Sequence, residues 1–157
     1  MPRNFQYEIF ADYHQFYLQD DDQSFGDLSQ AWTEEATDRL LAVAPHVLGV
    51  GTVRNVTVPV TVVVHESRPQ IIQEDWDHIT AASLRIDTGR IVVAGCTDYY
   101  PDAARIEVEP GVYEAIVCYG NLALLSSDGL DGEDSYHVYL FPGREIQPIT
   151  IKKRKNG

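Results

Sequence analysis

Two clusters of carboxylates come nearest to the residue pattern of a catalytic or metal-binding site. Asp20, Asp21 and Asp22 are consecutive, Asp27 follows them, and residues 128–134 hold four more acids. Neither cluster has the alternating ligand order of an EF-hand calcium loop or its closing glutamate. We therefore predict no metal site in either. We interpret both clusters as solvated loops or as acidic patches that face a basic partner.

The sequence offers no arrangement that is typical of an enzyme. No serine lies in a Gly-x-Ser-x-Gly elbow, and neither cysteine has a histidine close to it in the sequence. The five histidines never have the i, i+4 spacing of helical metal ligands. The segment Gly49–Arg54 lacks the third glycine and the following helix of a phosphate-binding loop. We predict a protein without catalytic activity or cofactor; an enzyme that pairs a carboxylate with His14 or His78 is the alternative.

The charge of the chain argues against direct binding to nucleic acid. Twenty-four acidic residues stand against 12 Lys and Arg, which gives 157 residues a net charge of −12. Because proteins grip phosphate backbones with Lys and Arg, this balance favours a basic protein partner, such as an enzyme that acts on nucleic acid. All three lysines and Arg154 lie in residues 152–157. We therefore predict a single acidic domain over residues 1–151 and a basic, frayed tail at 152–157.

The hydrophobic patterns predict a mainly β protein. Valines alternate with other residues over residues 56–64, as expected for a strand with one buried face. Pro59 in this run predicts an edge strand or a bulge. Similar segments along the chain predict an antiparallel β-sandwich of about eight or nine strands. One helix is predicted near residues 33–44, with Thr33 as its N-cap and Pro45 as its end.

Two features favour a cytoplasmic location. The sequence lacks the basic-then-apolar pattern of a signal segment, and no apolar run approaches the roughly 20 residues of a membrane span. Cys96 and Cys118 each lie in an apolar run. In a protein that is not exported, such a pair is typical of free, buried thiols, with a disulfide as the alternative. We therefore predict a cytoplasmic protein without a membrane span.

Four motifs, in order along the chain, resemble those of the ComJ-type competence proteins. They are Tyr13-His14-Gln15-Phe16, Trp32-Thr33-Glu34-Glu35-Ala36, Arg54-Asn55 and Pro110-Gly111-Val112-Tyr113, within residues 7–119. Members of that family are small acidic inhibitors of the DNA-entry nuclease. The chain departs from the family pattern by extra sequence around residues 66–78, an acidic insertion at 120–134 and the basic tail.

The resemblance implies that the chain binds and inhibits a DNA-degrading nuclease by occluding its basic active-site cleft. An acidic domain meets such a cleft by charge complementarity and associates with it quickly. Under this hypothesis the interface combines clustered acids with aromatic and imidazole side chains of the first two motifs. The predicted interface residues are Asp20, Asp21, Asp22, Glu34, Glu35, Tyr13, His14 and Trp32.

Two other classes of binding protein fit the same sequence. One is a binding module for another ligand, either an immunity-like protein for a different toxin or a β-sandwich that holds a small ligand or sugar. Exposed aromatics at Tyr99-Tyr100-Pro101-Asp102, Trp32 and Trp76 would serve such a module, and a concave aromatic pocket would favour it. The same aromatics would also serve a homodimer. Burial of each of these residues at the ends of the sheets is nevertheless the interpretation that we favour.

Overall fold

Eleven strands form two sheets within residues 2–22 and 27–155, the part of the chain that the computed structural model describes. The strands are β1 Arg3–Phe10, β2 Gln15–Asp20, β3 Leu41–Ala44, β4 Val47–Gly51, β5 Thr57–Val64, β6 His78–Ile86, β7 Arg90–Gly95, β8 Ala104–Glu107, β9 Gly111–Gly120, β10 Ser135–Pro142 and β11 Ile149–Lys152. The helix α1 covers Glu34–Arg39, and 3₁₀ helices cover Asp12–His14, Gln73–Asp75 and Tyr100–Asp102. The prediction of a mainly β protein is confirmed. No helix among the described residues is long and apolar enough to cross a membrane.

The two sheets are mostly antiparallel. The six-stranded sheet has the order β1-β5-β10-β9-β6-β11, and the five-stranded sheet has the order β3-β4-β2-β7-β8. β5 and β10 run parallel, which departs from the antiparallel pattern of the other described pairs. β2 lies at the centre of the five-stranded sheet, with β4 and β7 as its neighbours. The outward-pointing side chains of β2 therefore lie between those of two neighbouring strands.

One face of each sheet contributes to the main hydrophobic core. Phe16 and Leu18 of β2 and Val58, Val60 and Val62 of β5 are almost completely buried there. Removing each such side chain from water contributes about 1.5–3 kcal/mol to stability. The alternation of valines in β5 thus defines one buried face, as the sequence pattern predicts.

A buried ion pair holds the loop between β4 and β5 against the start of β10. Arg54 Nε donates to Asp134 Oδ1 at 2.6 Å, and both side chains are buried. The Tyr136 hydroxyl donates to Asp134 Oδ2 at 2.6 Å and accepts from the Val53 amide at 2.9 Å. Removing one partner of such a pair would leave a buried charge without compensation. The network gives Arg54 a structural role and removes Asp134 from the acidic surface of residues 128–134.

The helix predicted at residues 33–44 is only partly correct. Thr33 caps α1 as predicted, because its hydroxyl accepts from the amide three residues further on at 3.1 Å. The helix then ends early, since Leu40 takes a left-handed conformation with a φ of 64°. The run Leu41–Ala44 pairs with β4 instead, and Pro45 begins the turn between these strands. A short apolar run fits a helix or a strand equally well by its pattern alone.

The prediction of about eight or nine strands is too low. β3 forms from a segment that the sequence patterns assign to a helix, and β4 forms from a glycine-containing segment that those patterns do not assign to a strand. The 3₁₀ helix Asp12–His14 also divides the aromatic run at 5–18 into β1 and β2, which lie in different sheets. β5 is an internal strand with an unbroken register against β1, contrary to the edge position or bulge predicted from Pro59. Proline is tolerated there because the ladder with β10 begins one residue later, at Val60.

The basic C-terminal segment contacts the rest of the protein as far as Arg154. Lys152 ends β11, and its Nζ donates to a backbone carbonyl at 2.9 Å. Lys153 forms an ion pair with Asp38 of α1. The Arg154 amide donates to His78 Nδ1 at 3.0 Å. The prediction of a frayed tail is therefore wrong for these three residues; the last two residues of the chain lie outside the described part.

His78 joins this segment to the end of α1. Since its Nδ1 accepts from the Arg154 amide, the ring proton lies on Nε2, which donates to the Arg39 carbonyl at 2.7 Å. The Tyr119 ring packs edge-on against the imidazole, with 5.0 Å between ring centroids. Burial lowers the pKa of His78; the hydrogen bond to Arg39 opposes this, and the Arg154 and Lys153 cations add to it. The folded protein therefore favours a neutral His78.

Lowering the pH should destabilise the protein through His78. The histidine pKa is about 6.5 in an unfolded chain, so below that value the unfolded state binds the proton first and stability falls toward the lower folded-state pKa. Each unit between the two pKa values costs about 1.4 kcal/mol. Urea unfolding between about pH 7.5 and about pH 5 measures the decline. His78→Gln, whose amide offers one acceptor and one donor group without titrating, should reduce it. An equal decline in both proteins would assign it to other groups.

Candidate functional site

The outer face of the five-stranded sheet carries an open groove of about 770 Å³. Along β2, Phe16 and Leu18 point into the core, so Gln15, Tyr17 and Gln19 point outward and form the floor of the groove. We call this feature the β2 groove. The residues that line it are Gln15, Tyr17, Gln19, Leu28, Ser29, Trp32, Cys96, Asp98, Tyr99, Tyr100 and Pro101.

The segment before α1 forms the wall of the groove on the β4 side. Leu28 and Trp32 pack over Gly49 of β4, where an added Cβ would lie 2.8 Å from Leu28 and 3.2 Å from Trp32. Gly49 is thus a packing position, because a side chain there would displace the wall. The indole Nε1 of Trp32 donates to Gln15 Oε1 at 2.8 Å. With its N–H satisfied, the half-buried Trp32 presents a fixed ring to the groove.

The connection between β7 and β8 forms the opposite wall. Tyr99 is 71% exposed, and Tyr100 and Pro101 follow it along the rim. The Tyr100 hydroxyl donates to Asp21 Oδ1 at 3.1 Å, and the Arg105 guanidinium lies 5.2 Å from the centre of the Tyr100 ring. Tyr99 and Tyr100 therefore line the same groove as Trp32, with Tyr99 exposed and Tyr100 partly buried. Trp76 does not, because it packs against the six-stranded sheet.

Asp21 fixes this second wall to the sheet. Its carboxylate accepts from Arg105 Nε at 3.1 Å, and Arg90 Nε lies 3.1 Å from the same oxygen. Burial opposes the charge, but the hydrogen bonds from Arg105 and Tyr100 and the two cations hold the pKa of Asp21 below its usual value. Burial and the contact with Asp21 raise the pKa of Tyr100 to about 12, so its hydroxyl remains a donor. Asp21 is therefore engaged within the protein, contrary to its place in the predicted interface.

Asp20 is fully buried and holds the turn between β6 and β7. Its Oδ1 accepts from the Thr88 amide at 3.0 Å and from the Thr88 hydroxyl at 2.7 Å, while Oδ2 accepts from the Asp87 amide at 2.8 Å. Burial would raise the pKa of Asp20, but these hydrogen bonds and the nearby His46 hold it below its usual value. The side chain is out of reach of a partner, contrary to the predicted interface.

Asp20, His46 and Asp87 place three ligand-type atoms within 4.8 Å of one another. His46 Nδ1 lies 3.2 Å from Asp20 Oδ2 and 3.2 Å from the Arg85 carbonyl, and Nε2 lies 3.7 Å from Asp87 Oδ2. Both oxygens of Asp20 already accept hydrogen bonds from the turn, which a metal ion would have to displace. We interpret the group as a polar contact that joins two turns.

Other residues of the predicted interface do lie at the surface. Glu34 and Glu35 are exposed at the start of α1, directly after the Trp32 wall. Asp22 is also exposed, at the end of β2. From the sequence, we interpret the acidic cluster at residues 20–27 as a solvated loop or an acidic patch. Residues 23–26 of this segment lie outside the described part of the chain.

The sequence does not single out Asp98, which adds a further carboxylate to the rim. Asp98 is exposed, and its Oδ2 accepts from the Gly95 amide at 2.8 Å. Burial raises the pKa of Cys96, and the charges of Asp12 and Asp98 raise it further. Both carboxylates thus act on this end of the groove. Cys96 is a free, exposed thiol, contrary to the prediction of burial, whereas Cys118 is free and buried.

Tyr13 and His14 lie just before the groove floor, on a strained backbone. Their φ angles are 60° and 58°, in the left-handed region that residues other than glycine seldom adopt. The His14 amide donates to Asn55 Oδ1 at 3.2 Å, which helps to hold this turn. The Tyr13 ring is 71% exposed. Gln15, which binds Trp32, follows two residues later, but Tyr13 is not among the residues that line the groove.

Comparisons with known proteins identify the fold. No protein-family model matches the chain, and no curated protein sequence matches it significantly. The crystal structure of ComJ from Bacillus subtilis, an inhibitor of the DNA-degrading activity of NucA, is similar with a TM-score of 0.71 at 16% identity, covering 91% of this chain and 99% of ComJ. A structure described as Crocagin biosynthetic gene J is similar with a TM-score of 0.63 at 16% identity, covering 92% and 99%. The chain therefore has a ComJ-type fold, as its motifs imply.

Replacing Asp20 should destabilise the protein, although it stands in a run of three acids. Asp20→Asn removes a buried charge that accepts several hydrogen bonds, so we expect a loss of about 2–4 kcal/mol in the free energy of unfolding. The exposed Asp75 provides the control, and Asp75→Asn should change stability by less than about 0.5 kcal/mol. Urea unfolding measures both. Equal, small effects would show that Asp20 does not hold the turn.

Proposed function

We propose that the chain binds and inhibits a DNA-degrading nuclease and performs no chemistry of its own. The observation that carries this proposal is the likeness to ComJ, an inhibitor of the DNA-degrading activity of NucA, over nearly the full length of both chains. The net charge of −12 supports it, because enzymes that act on DNA bind phosphates through basic surfaces. The inhibitor would cover the basic cleft and exclude DNA by bulk and by charge.

The face that carries the β2 groove is the surface we propose for this contact. It combines the exposed ring of Tyr99 and the half-buried ring of Trp32 with the exposed carboxylates of Glu34, Glu35 and Asp98. Aromatic side chains surrounded by a polar rim often carry most of the binding energy of an interface. Exposed carboxylates steer a basic partner into place, and salt weakens their effect.

The concave shape of the groove favours a second candidate function, a module that binds a small ligand or sugar. Its volume of about 770 Å³ lies within the usual range for ligand sites. The two amides on the floor are already used within the protein: Gln15 accepts from Trp32, and Gln19 donates to the Asp22 carbonyl at 3.1 Å. Because this reduces the polar groups that are open to sugar hydroxyls, we rank the nuclease inhibitor first.

Adding the chain to the DNA-degrading nuclease encoded by the same genome should stop plasmid cleavage at a stoichiometric ratio. High salt should relieve the inhibition. We expect the double variant Glu34→Gln with Glu35→Gln to inhibit about threefold to tenfold less well at low salt, because it removes two steering charges.

The matched control removes two charges from another surface. Glu74 and Asp75 are exposed in a 3₁₀ helix, so Glu74→Gln with Asp75→Asn should inhibit like the unchanged chain. Full cleavage at excess chain, with the nuclease shown to be active, would remove nuclease inhibition as the function. An equal loss in both double variants would mean that total charge, and not this face, governs inhibition.

A further inference from the structure

The residues that line the β2 groove suggest which kind of partner side chain it could hold. We propose that it receives an arginine side chain, with the guanidinium between the aromatic walls and its charge balanced by Asp98. This inference rests on the proposed function, because it names the chemical group that a nuclease would present to the same site.

The aromatic rings lie on both sides of the groove and on its floor. Trp32 lies on the β4 side, Tyr99 lies on the β7 side, and Tyr17 lies on β2 between them. A planar guanidinium stacks on aromatic faces and is less strongly hydrated than the lysine ammonium. The groove is open to solvent, so a long side chain of a partner can enter it. The arrangement therefore suits arginine better than a compact cation.

The charge at the groove favours a cation. Asp98 lies on the rim, and the charge of Asp12 acts at the same end, on Cys96. Arg105 is the cation that approaches the other end, but its guanidinium is bound by Asp21 and by backbone carbonyls, including that of Ala103 at 2.7 Å. The Arg105 charge is thus compensated locally, whereas Asp98 is exposed and its carboxylate accepts only the backbone hydrogen bond from Gly95 among the contacts described.

Neutral and anionic ligands fit less well. The floor amides of Gln15 and Gln19 each form a hydrogen bond within the protein, which reduces the polar groups that could replace the water around a sugar. An anionic group would lie beside the carboxylate of Asp98. A cation with a flat, weakly hydrated face is the ligand that loses least on entering this groove.

The test uses Trp32 as a fluorescent probe and contains no nuclease. The chain has two tryptophans, so Trp76→Phe leaves Trp32 as the sole reporter. A short peptide of consecutive arginines should give a saturable change in Trp32 emission that weakens with salt. A neutral peptide of the same length, made of serine and glycine, should give none. Calorimetric titration of the unchanged chain with the same peptides provides a second readout that does not depend on the tolerance of Trp76→Phe.

Two variants of the groove and one matched control decide the result. Asp98→Asn keeps the hydrogen bond from Gly95, and Tyr99→Ser removes an exposed ring; each should weaken arginine-peptide binding by about threefold to tenfold. Asp75→Asn, which removes one exposed charge elsewhere, should leave binding unchanged.

Three outcomes would overturn the inference: no saturable binding of the arginine peptide, equal binding of the neutral peptide, or equal binding to the groove variants and the control. The results for nuclease inhibition test the proposed function separately. If the arginine peptide binds and the nuclease is not inhibited, the arginine site in the groove is supported and the nuclease is rejected as the partner. If the nuclease is inhibited equally by Asp98→Asn, Tyr99→Ser and the unchanged chain, the arginine site falls and the inhibitor stands.

Discussion

The carboxylate of Asp21 joins the end of β2 to both strands beyond it and to one wall of the β2 groove. Arg90 lies on β7, Arg105 on β8 and Tyr100 in the connection between them, and all three contact this one side chain. The contact gives the groove its shape, because it fixes the Tyr99–Pro101 wall. It also gives the groove its charge, because it compensates the arginine that would otherwise make this end basic.

Three consecutive aspartates serve three purposes because a strand turns successive side chains to opposite faces. Asp20 points inward, where amides of the β6–β7 turn satisfy it, and Asp21 points outward to the arginines. Asp22 follows the strand and is exposed. The sequence shows that the three aspartates are clustered. It does not show which of them is buried, because that depends on which strands flank β2. Asp20 and Asp21 thus serve internal structure, whereas Asp22 and Asp27 are exposed, and α1 and the β7–β8 connection add further exposed acids near the groove.

The sequence predicts those parts of the fold that local patterns determine. The valine alternation of β5, the Thr33 cap and the mainly β composition are correct, and the four motifs lead to the ComJ-type fold. The length of α1 could not be predicted, because Leu41–Ala44 becomes a strand only when β4 pairs with it. The groove could not be predicted from the sequence either. It needs residues from β2, from the segment before α1 and from the Tyr99–Pro101 connection, which only the order of the sheet brings together.

The central claim is that a nuclease contacts the face that carries the β2 groove. A crystal structure of the chain bound to the DNA-degrading nuclease of the same genome tests it most directly. We expect the basic cleft of the nuclease to lie over Trp32, Tyr99 and the start of α1, with an arginine of the nuclease in the groove. A complex in which the nuclease binds the six-stranded sheet or the loop at 128–134, and leaves the β2 groove open to solvent, would contradict it.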